Sequence, residues 1–238
     1  MKIAAVCCTH LRPKCLGYLI KCFLEQDYPP DKRELVILDD VGQYDDREGD
    51  GWRLISQSRR YSTLGEKRNA AAQRVAPDVE ALAVWDDDDI YLPWAMSASA
   101  AALAVAPWSR PGLVLHEQPD GSLRQHETGG LFHGGWAYTR EAFQRVGGYA
   151  RISNGEDQDL ARRMTRSGTA WADPVRLGYQ PFYVYNLGSG TGYRLSNMGP
   201  HGYRRLNLRP AEKAKLEITW RQDYAHPRIL PGIHPRVF

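Results

Sequence analysis

The run Ala81-Leu82-Ala83-Val84-Trp85-Asp86-Asp87-Asp88-Asp89-Ile90-Tyr91-Leu92-Pro93-Trp94 joins five mostly apolar residues to four consecutive carboxylates. Ala81 to Trp85 have the length of a buried strand, and Pro93 suits the first position of a following helix, where its missing N–H would have no partner anyway. The carboxylates therefore stand where a strand ends. Unit charges about 4 Å apart interact by roughly 1 kcal/mol in water and roughly 4 kcal/mol at an effective dielectric of about 20, so the cluster favours a compensating cation. Oxygen ligands of this kind suit Mg²⁺ or Mn²⁺. The competing reading of the same residues is a solvated acidic turn.

A chain of 238 residues with 42% hydrophobic content can bury a full core, most economically as one α/β domain. No apolar run approaches the roughly 18 residues of a membrane span, and Met1 to Val6 runs straight into a strand pattern. The expectation is a soluble, cytoplasmic protein without a transmembrane segment. Cys7, Cys8, Cys15 and Cys22 form no Cys-x-x-Cys pair and read as small reduced core residues. Residues 194–238 hold nine Lys/Arg against three Asp/Glu, a balance of +6, which leaves −3 on residues 1–193. The chain divides on this basis into a domain over 1–193 and a basic extension of that domain over 194–238.

Ile3 to Cys8 reads as a buried first strand, and Thr9-His10-Leu11-Arg12-Pro13 turns out of it into a helix. Along that helix Cys15, Leu16, Leu19, Ile20 and Phe23 form one apolar stripe. Leu35 to Leu38 is a second strand ending in Asp39-Asp40, so strand, helix and strand make a right-handed parallel crossover unit. Ligands of open α/β sheets sit beyond the carboxyl ends of such strands, which is where Thr9, Asp40 and Asp86 to Asp89 all fall. Val41 to Gly51 reads as a polar, mobile loop, and Trp52 to Ser56 as a further strand. Thr63 and Glu66 form a capping box for a helix through Val75. Lys67 and Arg68 in its first turn oppose the helix dipole, which fits either an anionic partner or a solvated pair.

Trp94 to Val105 is an alanine-rich helix. Leu113 to Leu115 and Leu123 flank the turn signal Pro119-Asp120-Gly121 and predict a hairpin. Helices are expected over about 140–146, capped by Thr139 and stopped by Gly147-Gly148, and over about 157–167, stopped by Gly168. Asp157 at the start of the second is ordinary capping chemistry or a functional acid. Tyr179 to Leu187 predicts a strand, and 187–193 a glycine-rich loop that is no P-loop, since no Gly-Lys-Ser/Thr follows.

Taken in order, the strand ending in Thr9, the strand ending in Asp39-Asp40, Lys67-Arg68-Asn69-Ala70, Asp86 to Asp89 followed by Ile90-Tyr91-Leu92-Pro93, Gly147-Gly148-Tyr149 and Gly155-Glu156-Asp157 resemble the inverting family-two glycosyltransferases of the GT-A fold. The resemblance covers residues 1 to about 170. It implies a Rossmann-like, mixed but mainly parallel sheet flanked by helices, with the basic C-terminal segment appended. It also implies metal-dependent transfer of a sugar from a nucleoside-diphosphate donor, usually a UDP-sugar, to an acceptor hydroxyl.

By that resemblance Thr9 and Asp40 hold the nucleotide base, Asp40 accepting from the ring N–H, and Arg68 faces the donor crevice. Asp86-Asp87-Asp88 matches the Asp-x-Asp motif: Asp88 is the direct metal ligand for Mn²⁺ or Mg²⁺, Asp86 supports the metal shell and Asp87 falls where the family contacts the ribose. Four adjacent aspartates leave this register open by one residue. Asp157 matches the catalytic base, with Glu156 beside it, and would take the acceptor proton as the hydroxyl attacks from the face opposite the leaving group.

The departures also narrow the reading. No Gln-x-x-Arg-Trp stretch follows Asp157, which argues against a processive polysaccharide synthase. Cys8-Thr9-His10-Leu11-Arg12 lacks the glycine-rich, lysine-bearing loop of a sugar-phosphate nucleotidyltransferase. His201, His226 and His234 are available to complete a metal shell, as a C-terminal histidine does in some related folds. The acceptor stays open between a glycan, a lipid-linked sugar and a nucleic acid. A hydroxymethylated base in DNA is suggested by Arg194, Arg204, Arg205, Arg209 and Arg221 alternating with Tyr193, Tyr203, Trp220 and Tyr224. A non-catalytic sugar-binding module is the alternative of another class, and donor hydrolysis would exclude it.

Overall fold

A seven-residue apolar strand, β1 (Ile3–Thr9), forms the middle of the larger of two sheets in the computed structural model, which describes residues 1–117, 123–186 and 213–219. Pro13, whose fixed φ suits a first helical position, opens α1 (Pro13–Leu24). The chain returns as β2 (Arg33–Asp39), then β3 (Arg47–Gly49) and β4 (Trp52–Ser56). Helix α2 (Leu64–Ala72) leads to β5 (Ala81–Asp86), β6 (Ile90–Tyr91) and α3 (Ala95–Val105). There follow β7 (Trp108–Ser109), β8 (Leu113–Glu117), β9 (Leu123–Glu127), β10 (Ala137–Thr139), α4 (Arg140–Arg145), α5 (Glu156–Arg166), β11 (Trp171–Ala172) and β12 (Tyr183–Asn186).

The large sheet runs β11-β7-β10-β5-β1-β2-β4-β3 and the small one β6-β12-β8-β9. β1 pairs in parallel with both β2 and β5, and the register sets Thr9 opposite Asp39 and Cys8 opposite both Leu38 and Asp86. Three carboxyl ends thus stop within one rung of each other, which is why residues distant in sequence share one crevice.

Side chains alternate across these strands with period two. Ile3, Ala5, Cys7, Leu35 and Ile37 pack on one face with Leu16, Leu19, Ile20 and Phe23 of α1 and Met96 and Leu103 of α3. Ala4, Val36, Leu82 and Val84 pack on the other with Tyr138, Phe143, Leu160 and Met164. Each fully buried Leu, Ile or Phe contributes about 1.5–3 kcal/mol, so the two faces together hold the three-layer fold.

The parallel core, α1, the Thr63 cap and the hairpin strands β8 and β9 match the expectations; the hairpin turn at 119–121, the loop 187–193 and most of the basic extension lie outside the described residues. Four local expectations are corrected. Pro93 does not open α3: Leu92 N–H donates to Phe182 O (2.8 Å), extending the β6 pairing, and Trp94 is the N-cap. α2 ends at Ala72 rather than Val75. The segment after Asp40 is pinned rather than mobile, because the buried Asp39 carboxylate accepts from Val41 N (3.2 Å), Gln43 N (2.8 Å) and Ser56 Oγ (2.7 Å), and β3 pairs with β4. The last strand is shorter than 179–187, spanning Tyr183–Asn186 in the small sheet.

Part of the basic extension folds back on the body. Ala214 N–H donates to Gln43 O (2.8 Å), Lys213 Nζ stands 3.4 Å from Asp45 Oδ1, and Leu216 is buried in the α1 core. Among the described residues no helix is long and apolar enough to cross a membrane.

Candidate active site

The four aspartates after β5 take four different settings. Asp86 Oδ1 lies 3.2 Å from Arg68 Nη2. Asp87 accepts from Thr9 Oγ1 at Oδ2 (2.6 Å) and from Arg12 Nη1 at Oδ1 (2.7 Å). The same Arg12 nitrogen reaches Asp88 Oδ2 at 2.8 Å. Asp89 Oδ2 accepts from Tyr183 Oη. The tight turn between β5 and β6 sends alternate side chains opposite ways: Asp87 and Asp89 are buried, whereas the Asp86 and Asp88 carboxylates keep 31% and 19% exposure. The pair that faces the crevice is therefore Asp86 and Asp88. Asp87, expected against a ribose, has both oxygens engaged inside the protein.

Asp86 is fixed from behind. Its N–H donates to Tyr91 Oη (2.8 Å), and that hydroxyl donates to Gly134 O (2.9 Å). A Cβ at Gly134 would stand 2.9 Å from Asp86 Oδ2 and 2.8 Å from Tyr183 Oη, so only glycine lets this loop close on the acid. Burial and the neighbouring Asp87 charge push the Asp88 carboxyl up to about 7 in spite of Arg12.

At the β1 and β2 ends, Lys67 Nζ donates to Thr9 O (2.6 Å) and to Asp40 Oδ1 (2.6 Å), and Arg60 Nη1 reaches the same Oδ1 at 2.7 Å. Burial alone would raise the Asp40 pKa, but His10, Lys67 and Arg60 hold it well below the usual carboxylate range. Lys67 is 2% exposed, so it is neither a solvated surface cation nor open to an anionic ligand, the two readings that its sequence position offered. Thr9 and Asp40 do come together, joined through this ammonium.

At the start of α5 the buried Glu156 accepts from Arg68 Nε (3.3 Å), so one guanidinium links Asp86 to the helix that carries Asp157. Burial pushes the Glu156 carboxyl up, opposed by Arg68. Asp157 stays half-buried, and its Oδ1 accepts from the Gln158 N–H (2.8 Å). The Arg68 end of α2 is anchored by its neighbour, since Asn69 exchanges two hydrogen bonds with the Tyr149 backbone (2.8 and 2.9 Å). Tyr149 Oη in turn contacts His133 Nε2 at 2.9 Å and Tyr138 Oη, a buried polar chain beneath Arg68.

The donor chemistry fits a hard divalent cation. Asp86 to Asp89 and Glu156 supply five carboxylates; Arg12 pairs with Asp87 and Asp88, and Arg68 with Asp86 and Glu156. Among the described residues no three His, Cys, Asp or Glu side chains converge as a ready cage. Mg²⁺ commonly takes one or two carboxylates and completes its shell with substrate phosphates and water, so Asp86 and Asp88 are the residues that would hold such an ion. His201, His226 and His234 lie outside the described residues, as do Arg194, Arg204, Arg205, Arg209 and Arg221 with the aromatics between them.

Sequence reasoning missed Arg12, Arg60 and Tyr183 as members of the site. Arg12 carried one signal, its place in the turn directly after β1. Arg60 and Tyr183 carried none, because a lone residue in a loop or a short strand has no periodicity to mark it.

No family model matches the chain, and no curated protein matches it. Solved structures match in fold. S. aureus TarS 1-349 aligns with TM-score 0.60 at 15% identity, covering 78% of this chain and 60% of that one. The mannosyltransferase PcManGT from Pyrobaculum calidifontis, in complex with GDP-Man and Mn²⁺, aligns with TM-score 0.58 at 17% identity, covering 85% and 59%. TarS 1-349 in complex with UDP-GlcNAc aligns with TM-score 0.58 at 15% identity, covering 78% and 58%. The chain thus spans about three-fifths of the length of these structures, and the likeness is one of fold: a mixed α/β architecture with a large, mostly parallel sheet flanked by helices.

Proposed function

We propose that this protein is a glycosyltransferase that moves a sugar from a nucleoside-diphosphate donor to an acceptor hydroxyl with inversion at the anomeric carbon. One observation carries the reading: Arg68 bridges Asp86, at the end of β5, to Glu156, the first residue of α5, so the strand-end acids are tied to the helix that carries the candidate base Asp157. The fold likeness to a mannosyltransferase solved with GDP-Man and Mn²⁺, and to TarS solved with UDP-GlcNAc, supports it.

Asp86 and Asp88 would hold Mn²⁺ or Mg²⁺, and a bound divalent ion supplies Lewis-acid stabilisation of the departing diphosphate. The protein's own residues do the rest. Thr9 and Asp40, fastened by Lys67, shape the nucleotide end of the crevice. Arg68 sets Asp86 against Glu156. Asp157 Oδ accepts the acceptor proton as the hydroxyl oxygen attacks, a role that its half-buried position at the α5 N-terminus permits. Hydrolase chemistry with two carboxylates flanking a glycosidic bond is disfavoured by the strand-end position of the acids.

A panel of UDP- and GDP-sugars, assayed for nucleotide release with Mn²⁺ and with EDTA, tests the reading. Metal-dependent release from at least one donor is expected. Binding of donor without release under any condition would leave a non-catalytic nucleotide-sugar module.

A further inference from the structure

We infer that Arg12 is a built-in competitor of the divalent cation at Asp88, so that metal binding requires the guanidinium to leave that carboxylate. This rests on the proposed function for the metal's role and adds a control on its affinity. A single nitrogen, Arg12 Nη1, bridges Asp87 Oδ1 (2.7 Å) and Asp88 Oδ2 (2.8 Å), so a positive charge lies between two members of the acidic turn.

Three features make this arrangement displaceable at one end. Asp87 is also held by Thr9 Oγ1 (2.6 Å), so the Asp88 contact can be given up while Asp87 remains hydrogen-bonded. Arg12 Nε is buried and has no hydrogen-bond partner, so the guanidinium uses only part of its donor set. Arg12 is also the N-cap of α1, at the positive end of the helix dipole, a poor place for a cation unless nearby acids offset it. Removing the charge should therefore strengthen the site for a metal, whereas an arginine that merely props up the turn would weaken the site when lost.

The experiment titrates Mn²⁺ against the wild-type protein, Arg12→Gln and Asp88→Asn, reading free Mn²⁺ by electron paramagnetic resonance. Glutamine keeps an N–H donor for Asp87 without the charge. Arg12→Gln is expected to bind Mn²⁺ at least about tenfold more tightly than wild type, as loss of a charge within about 4–6 Å implies, and Asp88→Asn is expected to lose binding. Equal or weaker Mn²⁺ binding by Arg12→Gln overturns the inference. If Asp88→Asn abolishes binding while Arg12→Gln leaves it unchanged, the inference alone fails and the metal reading stands. If neither wild type nor Arg12→Gln binds Mn²⁺, both fall.

A second measurement needs no variant. Phenylglyoxal labelling of wild type, mapped by mass spectrometry, should modify Arg12 more readily with Mn²⁺ present than without it. Unchanged or reduced modification overturns the inference whether or not Arg12→Gln folds.

Discussion

Lys67 Nζ stands 2.6 Å from Asp40 Oδ1, with both side chains almost fully buried, and the same ammonium donates to the Thr9 carbonyl oxygen at 2.6 Å. One charge from α2 therefore ties together the ends of β1 and β2, where the nucleotide end of the crevice is proposed to lie. Breaking this tie leaves Asp40 with Arg60 as its remaining close cation and takes the donor from the Thr9 carbonyl, so it carries a cost.

Replacing Lys67 by Met should lower stability by about 1–3 kcal/mol, the cost of buried groups losing a hydrogen-bond partner, and less than an orphaned charge would cost because Arg60 still pairs with Asp40. Urea unfolding measures it. The double variant Lys67→Met/Asp40→Leu should recover part of the loss, since the buried carboxylate goes with the ammonium and Arg60, at 20% exposure, can turn to solvent. A single variant within about 0.5 kcal/mol of wild type, the range of an ordinary surface change, would show that the pair is not a structural tie.

The pH dependence of stability follows from Asp40. Its folded pKa is depressed below the unfolded value, so the unfolded chain binds more protons in acid. The contribution is present above the ordinary carboxylate range, near about 4, and is lost as pH falls through that range toward the depressed folded value. Unfolding midpoints taken from pH 7 down to pH 3 should therefore fall for the wild type, and fall less steeply for Lys67→Met.

Asp88→Asn should abolish Mn²⁺- or Mg²⁺-dependent nucleotide release while leaving the circular dichroism of the folded protein unchanged, because Asp88 faces the crevice and is paired there with Arg12. Asp87→Asn should act differently. Asp87 is 4% exposed and held by both Thr9 and Arg12, so this variant should lose stability as well as activity. Retention of full turnover in EDTA would remove the metal from the reading.

Asp157→Asn keeps the shape of the side chain and removes the proton acceptor. Turnover should fall about 10²- to 10⁴-fold with donor affinity little changed. A near wild-type rate would leave Asp157 as an acid that caps α5.

Gly17→Ala tests the folded-back segment 213–219. Alanine normally favours a helix over glycine by about 1 kcal/mol. Here a Cβ would lie 1.9 Å from the Glu217 carbonyl oxygen, which lies across α1. The variant should keep its core yet expose 213–219, read as faster proteolysis or faster amide exchange within that segment. Unchanged protection would mean that the segment does not depend on contact with α1.

The elements that could be read from the chain are those whose patterns are local and repeated. β1, β2 and β5 are apolar runs followed by polar strand ends, α1 carries an apolar stripe at three- and four-residue spacing, and Thr63 with Glu66 marks a helix start. Such signals depend only on neighbours a few residues away, and they place Thr9, Asp40 and Asp86 to Asp89 at one edge of a parallel sheet. The two- and three-residue strands β7, β10 and β11 were not legible, because they are too short to carry a period and form only against partners already in place.

Tertiary structure alone decided what each charge does. Four identical aspartates in a row contain nothing that distinguishes one from the next; the turn between β5 and β6, together with Arg12, Arg68 and Tyr183 from elsewhere in the chain, sends Asp86 and Asp88 to the crevice and Asp87 and Asp89 inward. Lys67 and Arg68 are likewise adjacent cations on one helix turn, yet one is buried on Asp40 and the other spans Asp86 and Glu156. Consecutive residues on a helix point about 100° apart, so their partners are set by what packs on each side, and that depends on residues far away in sequence.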